Sequence, residues 1–271
     1  MNRVRRMMRR AAPIAVCALF CLLLNSCSAS SGAVNKYQIS STELFDTVTM
    51  ITGYAENEEA FREKADGILR ELLEYHKLYD IYHDYAGMNN AKTVNDLAGG
   101  EPVAVDRRLT ELLLFAREIS RDSGGKADVT LGAMLKLWHE ARENGIEHPE
   151  EAALPDPAAL EQAMAHTGFE LLEIDAEAGT VRLTDPEASL DLGALAKGYA
   201  VQRVCEEFEP GWLVNVGGNV YATGPKVPDG NAWAVGVQDP DGSGSDYLHV
   251  ITLKQGAVVT SGDYQRYYTV D

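Results

Sequence analysis

The chain has 271 residues and is strongly acidic, with 24 Lys and Arg against 41 Asp and Glu and a formal net charge of −17. That balance excludes nucleic acid and anionic lipid as electrostatic partners, because both need a basic face. The body of the chain, roughly 235 residues, is long enough to bury a substantial core in one large domain or two lobes.

The first ten residues hold five arginines and no acid, and an apolar run from Ala11 to Leu24 follows. The run is too short for a resident membrane helix, so residues 1–26 read as a signal peptide. Leu24-Asn25-Ser26-Cys27 resembles a bacterial lipobox, which makes Cys27 the expected lipidated N-terminus of the mature chain. Lipid there would anchor the protein to the extracytoplasmic face of the cell membrane without spanning it. Residues 27–36 are the lipidated cysteine and a flexible Ser/Gly tether, and 37–271 are the folded body. Cys17 and Cys21 fall in the signal segment. Cys205 is then alone in the body, and is expected as a buried apolar residue rather than a nucleophile.

Along the body, Tyr37 to Ile51 reads as a strand. Glu58 to Tyr79 is an amphipathic helix, with Phe61, Ala65, Ile68, Leu69, Leu72, Leu73 and His76 on one face. His76 receives no role beyond packing. Asp106 caps a second helix to Asp122, Thr130 to Glu143 forms a third, and Pro155-Asp-Pro opens a fourth through Leu160 and Met164. Leu171–Ile174 and Val181–Thr184 flank a hairpin turn. Short strands follow at Trp212–Val216, Trp233–Val237, Leu248–Leu253 and Ala257–Thr260, with a loop over Asp239–Asp246. The expected class is α+β, with helices early and a mostly antiparallel sheet late.

Asp191-Leu-Gly-Ala-Leu-Ala-Lys-Gly-Tyr-Ala200 is the most informative segment. Asp191 is placed to cap a helix start, Gly193 and Ala194 let a ligand approach the backbone, and Lys197 lies six residues on. Free N–H groups beside a lysine suit a phosphate, and an ordinary capped helix with a surface lysine fits equally well. Ser123-Gly-Gly-Lys-Ala-Asp-Val-Thr130 precedes a helix that Asp128 or Thr130 would cap, or else touches a ligand with its backbone. Asn215-Val-Gly-Gly-Asn219 and Thr260-Ser-Gly-Asp-Tyr-Gln-Arg266 each follow a strand.

Taken in order, these pieces resemble the ApbE family of FAD:protein FMN transferases. The resemblance also covers Phe45-Asp-Thr47, Tyr79-Asp-Ile-Tyr82, Leu137-Trp138 and Trp233 to Pro240. It implies an ApbE-like fold with an FAD cleft between lobes. It implies FAD as substrate, Mg2+ as cofactor, and transfer of FMN to Thr or Ser of an exported or membrane redox protein with release of AMP. Narrower outcomes are an FAD-binding lipoprotein without transferase activity, and an FAD pyrophosphatase giving FMN and AMP. By the family's pattern Ala194 offers a backbone carbonyl to the metal. Asp191, Lys197, Lys126, Ala127 and Asp128 contact FAD, and Phe45 and Tyr82 lie at the flavin. The acceptor is expected to be a flavoprotein subunit of a membrane redox complex. The resemblance further implies a segment His-x-Ile-Asp-Pro-x-Thr-Gly, whose histidine is the candidate catalytic group, and a later Asp and Thr pair that completes the Mg2+ shell. Neither is found before Asp271. The chain is therefore expected to be a C-terminally truncated member with little activity as it stands.

Overall fold

Phe45 and Asp46 break what reads in the sequence as one strand from Tyr37 to Ile51. In the computed structural model, which describes residues 34–227, 229–241, 247–262 and 267–270, two strands replace it. β1 (Asn35–Leu44) and β2 (Thr47–Ala55) form an antiparallel hairpin, with Ile39 opposite Ile51 and Leu44 opposite Thr47. Asn35 and Lys36 are thus strand rather than tether. The signal segment, Cys27 and Asp263–Arg266 lie outside the described residues.

The helix expected over Glu58–Tyr79 is present as α1 with those bounds. The Asn57 side chain accepts from Ala60 N at 2.9 Å, and Glu58 and Glu59 complement the positive helix start. Phe61, Ala65, Ile68 and Leu72 recur at helical spacing and are buried against the sheet. Phe61 is stacked between Tyr37 at 5.5 Å and Trp212 at 5.4 Å. Burying side chains of this size contributes about 1.5–3 kcal/mol each.

A short helix absent from the sequence reading, α2 (Ala91–Asp96), starts at a reciprocal cap between Asn90 and Thr93. α3 (Arg107–Asp122) is capped by Asp106, whose Oδ1 accepts from Arg108 N at 2.8 Å. α4 (Gly132–Glu147) and α5 (Pro157–Met164) follow, the latter with Asp156 as cap and Pro157 in the first turn. β3 (Val103–Ala104), β4 (Leu172–Asp175) and β5 (Thr180–Leu183) make a three-stranded sheet in the order β3-β5-β4, which contains the expected hairpin. α6 (Ala196–Glu206) leads to β6 (Leu213–Val216) and β7 (Asn219–Ala222). β8 (Trp233–Gln238) and β9 (Tyr247–Leu253) form their own ribbon, and β10 (Gly256–Val259) pairs with β7.

The five-stranded antiparallel sheet runs β1-β2-β6-β7-β10. It is not wholly late in the chain, because its first two strands precede every described helix. β7 hides in the sequence behind Gly217 and Gly218. A Cβ at Gly53 in β2 would lie 2.6 Å from the Trp212 ring, which explains a glycine inside a strand. Cys205 is buried as expected, and burial pushes its thiol up to about 12. Among the described residues, no helix is long and apolar enough to cross a membrane.

Candidate functional site

A cavity of about 600 Å3 lies between the β1–β2 turn and the end of α1 on one side and α4 on the other. The Asp80–Tyr85 loop, the Asp191–Gly193 turn and the start of α6 complete its wall. A second cavity of about 810 Å3 shares Ile81, Tyr82, His139 and Asp191 with it and extends along α4 and α5. Both are in the range of small-molecule and cofactor sites.

Five of the residues singled out in the sequence, Phe45, Tyr82, Asp191, Gly193 and Lys197, line the smaller cavity. Phe45 and Asp46 have φ of 52° and 51°, the two left-handed residues of a tight hairpin. Non-glycine residues in that region cost on the order of 1–3 kcal/mol each and need support from outside the turn. His76 supplies it. The Phe45 N–H donates to His76 Nδ1 at 3.2 Å, and the two rings meet edge to face at 5.3 Å. Burial is the main reason the His76 imidazole lies below its ordinary value, partly offset by Asp80 and Asp46.

Asp80 follows α1, with its side chain only 4% exposed. Its Oδ1 accepts from Tyr82 N at 2.6 Å and His83 N at 3.2 Å. Its Oδ2 accepts from the Tyr85 hydroxyl at 2.8 Å and lies 2.9 Å from His83 Nδ1. Burial alone would raise this carboxyl, and those bonds outweigh it and hold Asp80 low. The loop is thereby wound around one carboxylate. It presents Tyr82, whose hydroxyl is 3.5 Å from His139 Nδ1, with His139 Nε2 3.8 Å from Asp191 Oδ2.

Asp191 does not cap a helix. Its Oδ1 accepts from Gly193 N at 2.8 Å and closes a turn, and α6 begins only at Ala196 with no side-chain cap. Asp128 and Thr130 do not cap α4 either, whose start at Leu131 has no side-chain bond. Asp128 Oδ1 instead accepts from Thr130 N at 2.8 Å and Thr130 Oγ1 at 2.7 Å, and Thr130 Oγ1 accepts from Gly168 N at 2.7 Å. Gly132 N, at the head of α4, donates to Ser189 O. Lys126, Ala127, Asp128 and Ala194 line neither of these two cavities. Their loop nevertheless abuts the site, because Val129 O accepts from Asp191 N at 2.8 Å.

His76, Asp80, His139 and Asn95 were given no site role by the sequence. Asn95 donates to Leu190 O at 3.0 Å and accepts from Leu190 N at 2.7 Å, fixing the approach to Asp191. Asp80 lies inside the Tyr79–Tyr82 motif and was within reach of sequence reasoning. The other three act through partners remote in the chain. Among the described residues, no group of three or more His, Cys, Asp and Glu side chains is arranged to hold a metal ion.

The family described as ApbE matches residues 45–271. A Treponema pallidum protein named FAD:protein FMN transferase is 34% identical over 194 residues, which is 66% of this chain and 52% of that one. A Chlamydia muridarum protein of the same name is 24% identical over 254 residues, 92% of this chain and 73% of that one. The chain thus spans little more than half of the Treponema relative. The crystal structure of the ApbE protein from Thermotoga maritima matches with a TM-score of 0.73 at 30% identity, covering 88% of this chain and 74% of that one. The flavin transferase ApbE from Vibrio cholerae shares the fold, with a TM-score of 0.69 at 22% identity and coverage of 88% and 75%. With one family matched from the turn at Phe45 onward, and its fold reproduced in a solved member, the chain belongs to the ApbE family.

Proposed function

We propose that the protein is an FAD:protein FMN transferase, and that the cavity at Phe45, Tyr82, Asp191 and Lys197 binds FAD. What carries the reading is that one cavity of about 600 Å3 brings Phe45, Tyr82, Asp191 and Lys197 together from separate stretches of chain, among further Tyr and Asp side chains of its lining. Family membership supports it. In this reading a Thr or Ser hydroxyl of an exported or membrane redox protein attacks the FMN-side phosphorus of FAD. The new P–O bond forms as the bond to the AMP phosphate breaks, the hydroxyl proton is lost, and AMP leaves. Such a reaction depends on positioning and charge neutralisation. Phe45 and Tyr82 hold the flavin half, and Lys197 offsets phosphate charge. Asp191 holds the turn that brings Gly193 to the ligand, and the Lys126–Asp128 loop closes in behind it. Anchoring through Cys27 would keep this chemistry on the extracytoplasmic face of the membrane.

Mg2+, which the resemblance implies, prefers several hard oxygen donors. Of the residues the resemblance assigns to this site, the candidate oxygen donors are the Ala194 carbonyl and the Asp191 carboxylate, whose Oδ1 is already engaged by Gly193 N. That set alone does not make a Mg2+ site, so no step here is routed through the metal.

The relatives are longer than this chain, and the activity proposed is that of a protein of their length. The test incubates this chain, and a version carrying the further sequence of its relatives, with FAD, Mg2+ and a Thr-containing acceptor peptide. The longer version should yield a peptide carrying FMN and an equal amount of AMP, with FAD bound by both. AMP with free FMN and no adduct would make the protein a pyrophosphatase. FAD binding with neither product would make it a flavin-binding protein.

A further inference from the structure

We propose that His76 is a positioning residue that holds the Phe45–Asp46 turn against the flavin as a neutral imidazole, and releases it on taking up a proton. The proposal rests on the reading of the cavity as an FAD site. Three observations converge on it. Phe45 and Asp46 are both left-handed without being glycine, so the turn depends on outside contacts. The Phe45 N–H donates to the His76 side chain, through Nδ1 at 3.2 Å. His76 itself lines the cavity beside Phe45 and Asp46.

The proton inventory is self-consistent. A neutral imidazole has one donor and one acceptor nitrogen. With Nδ1 accepting from Phe45, the proton sits on Nε2. That nitrogen is 3.5 Å from the Tyr85 hydroxyl, which donates onward to Asp80 at 2.8 Å. The network fixes the tautomer, and burial keeps the ring neutral at neutral pH. A second proton on Nδ1 would set two N–H donors face to face, and the turn would lose its tether.

Other charges bear on the ring. On its own helix this is Lys77, from the turn Asp46, and from the loop Asp80 and His83. Across the cavity stand His139, Arg142, Asp191 and Lys197. With so many ionisable groups facing the ring, the bare pH dependence of the wild type does not isolate His76. A variant that keeps the acceptor and cannot be protonated does. His76→Asn offers a side-chain carbonyl in place of Nδ1.

FAD affinity is read by flavin fluorescence from pH 8 down through the acid range. In the wild-type chain it should weaken about fivefold as His76 titrates below its ordinary value, the equivalent of one lost hydrogen bond. In His76→Asn that step should vanish. Equal pH profiles in the two proteins would overturn the proposal. A second readout needs neither ligand nor variant. By NMR on the wild-type chain, the Phe45 amide should lose protection from hydrogen exchange in step with the His76 ring titration. An amide indifferent to that titration overturns the proposal even if His76→Asn fails to fold. Absence of FAD binding at every pH would instead sink the functional reading, and the amide would still decide the role of His76.

Discussion

The Asp191 N–H donates to the Val129 carbonyl at 2.8 Å, and so joins two segments far apart in the chain. The loop carrying Lys126 and Asp128 and the turn carrying Asp191 and Gly193 are held as one unit beside the cavity. The Gly132 N–H bond to Ser189 O repeats the link three residues along.

Asp191→Ala removes the acceptor that closes the turn onto Gly193. FAD affinity should fall about tenfold, the scale of a lost hydrogen bond to a charged group. Far-ultraviolet circular dichroism should not change, because the bond to Val129 uses the backbone. An unchanged dissociation constant would remove Asp191 from the flavin site.

His166 sits between two carboxylates, with Nδ1 2.8 Å from Asp185 Oδ2 and Nε2 3.2 Å from Glu187 Oε2. The hydrogen bond to Asp185 comes first among the causes that raise the imidazole above its ordinary value. A raised histidine stabilises the fold fully below its unfolded value near 6.5, and this is lost as pH rises through the folded value. Asp185, held low first by Glu187 N and then by His166, behaves oppositely and loses its contribution only as pH falls through its depressed value. His166→Gln should therefore lower the urea midpoint more at pH 6 than at pH 9. Equal losses at both would show that the charge on His166 does not matter.

Gly53→Ala forces a methyl group to within 2.6 Å of the Trp212 ring, which is itself stacked on Phe61. Overpacking of this kind costs about 1–3 kcal/mol. A thermal melt that matches wild type would mean that the tryptophan can shift at no cost.

Cys205 is buried in α6 with its thiol pushed up to about 12. Iodoacetamide at pH 8 should leave it unmodified in the folded chain and label it after unfolding, as read by peptide mass mapping. Rapid labelling of the native protein would show that α6 opens.

Much of this was legible in the sequence where a signal was long or local. α1 announced itself through the stripe from Phe61 to His76 at helical spacing. The β4–β5 hairpin showed as two apolar stretches, Leu171–Ile174 and Val181–Thr184, flanking Asp175 to Thr180. The β1–β2 turn was not legible, because its left-handed residues are Phe and Asp and their support comes from His76, 31 residues away. The sequence reading set Phe45, Tyr82, Asp191 and Lys197 at one ligand through the family resemblance, and all four line one cavity. It misread the local role of Asp191, whose segment is claimed by Val129 and Gly193 before the helix can start. His139 carries no sequence signal, since its neighbours Tyr82 and Asp191 are brought to it by folding alone.

Asn95 grips Leu190 by both main-chain groups at once, and in doing so acts as a one-residue substitute for a neighbouring strand. Such a grip is blind to the side chain it holds. Position 190 can drift among apolar residues that fill the same space, and the line leading to Asp191 stays where it is. Position 95 has no such latitude. Aspartate there would keep the acceptor and forfeit the donor, and alanine would forfeit both, so the aim of Asp191 is written in a residue that never touches the cavity's acid.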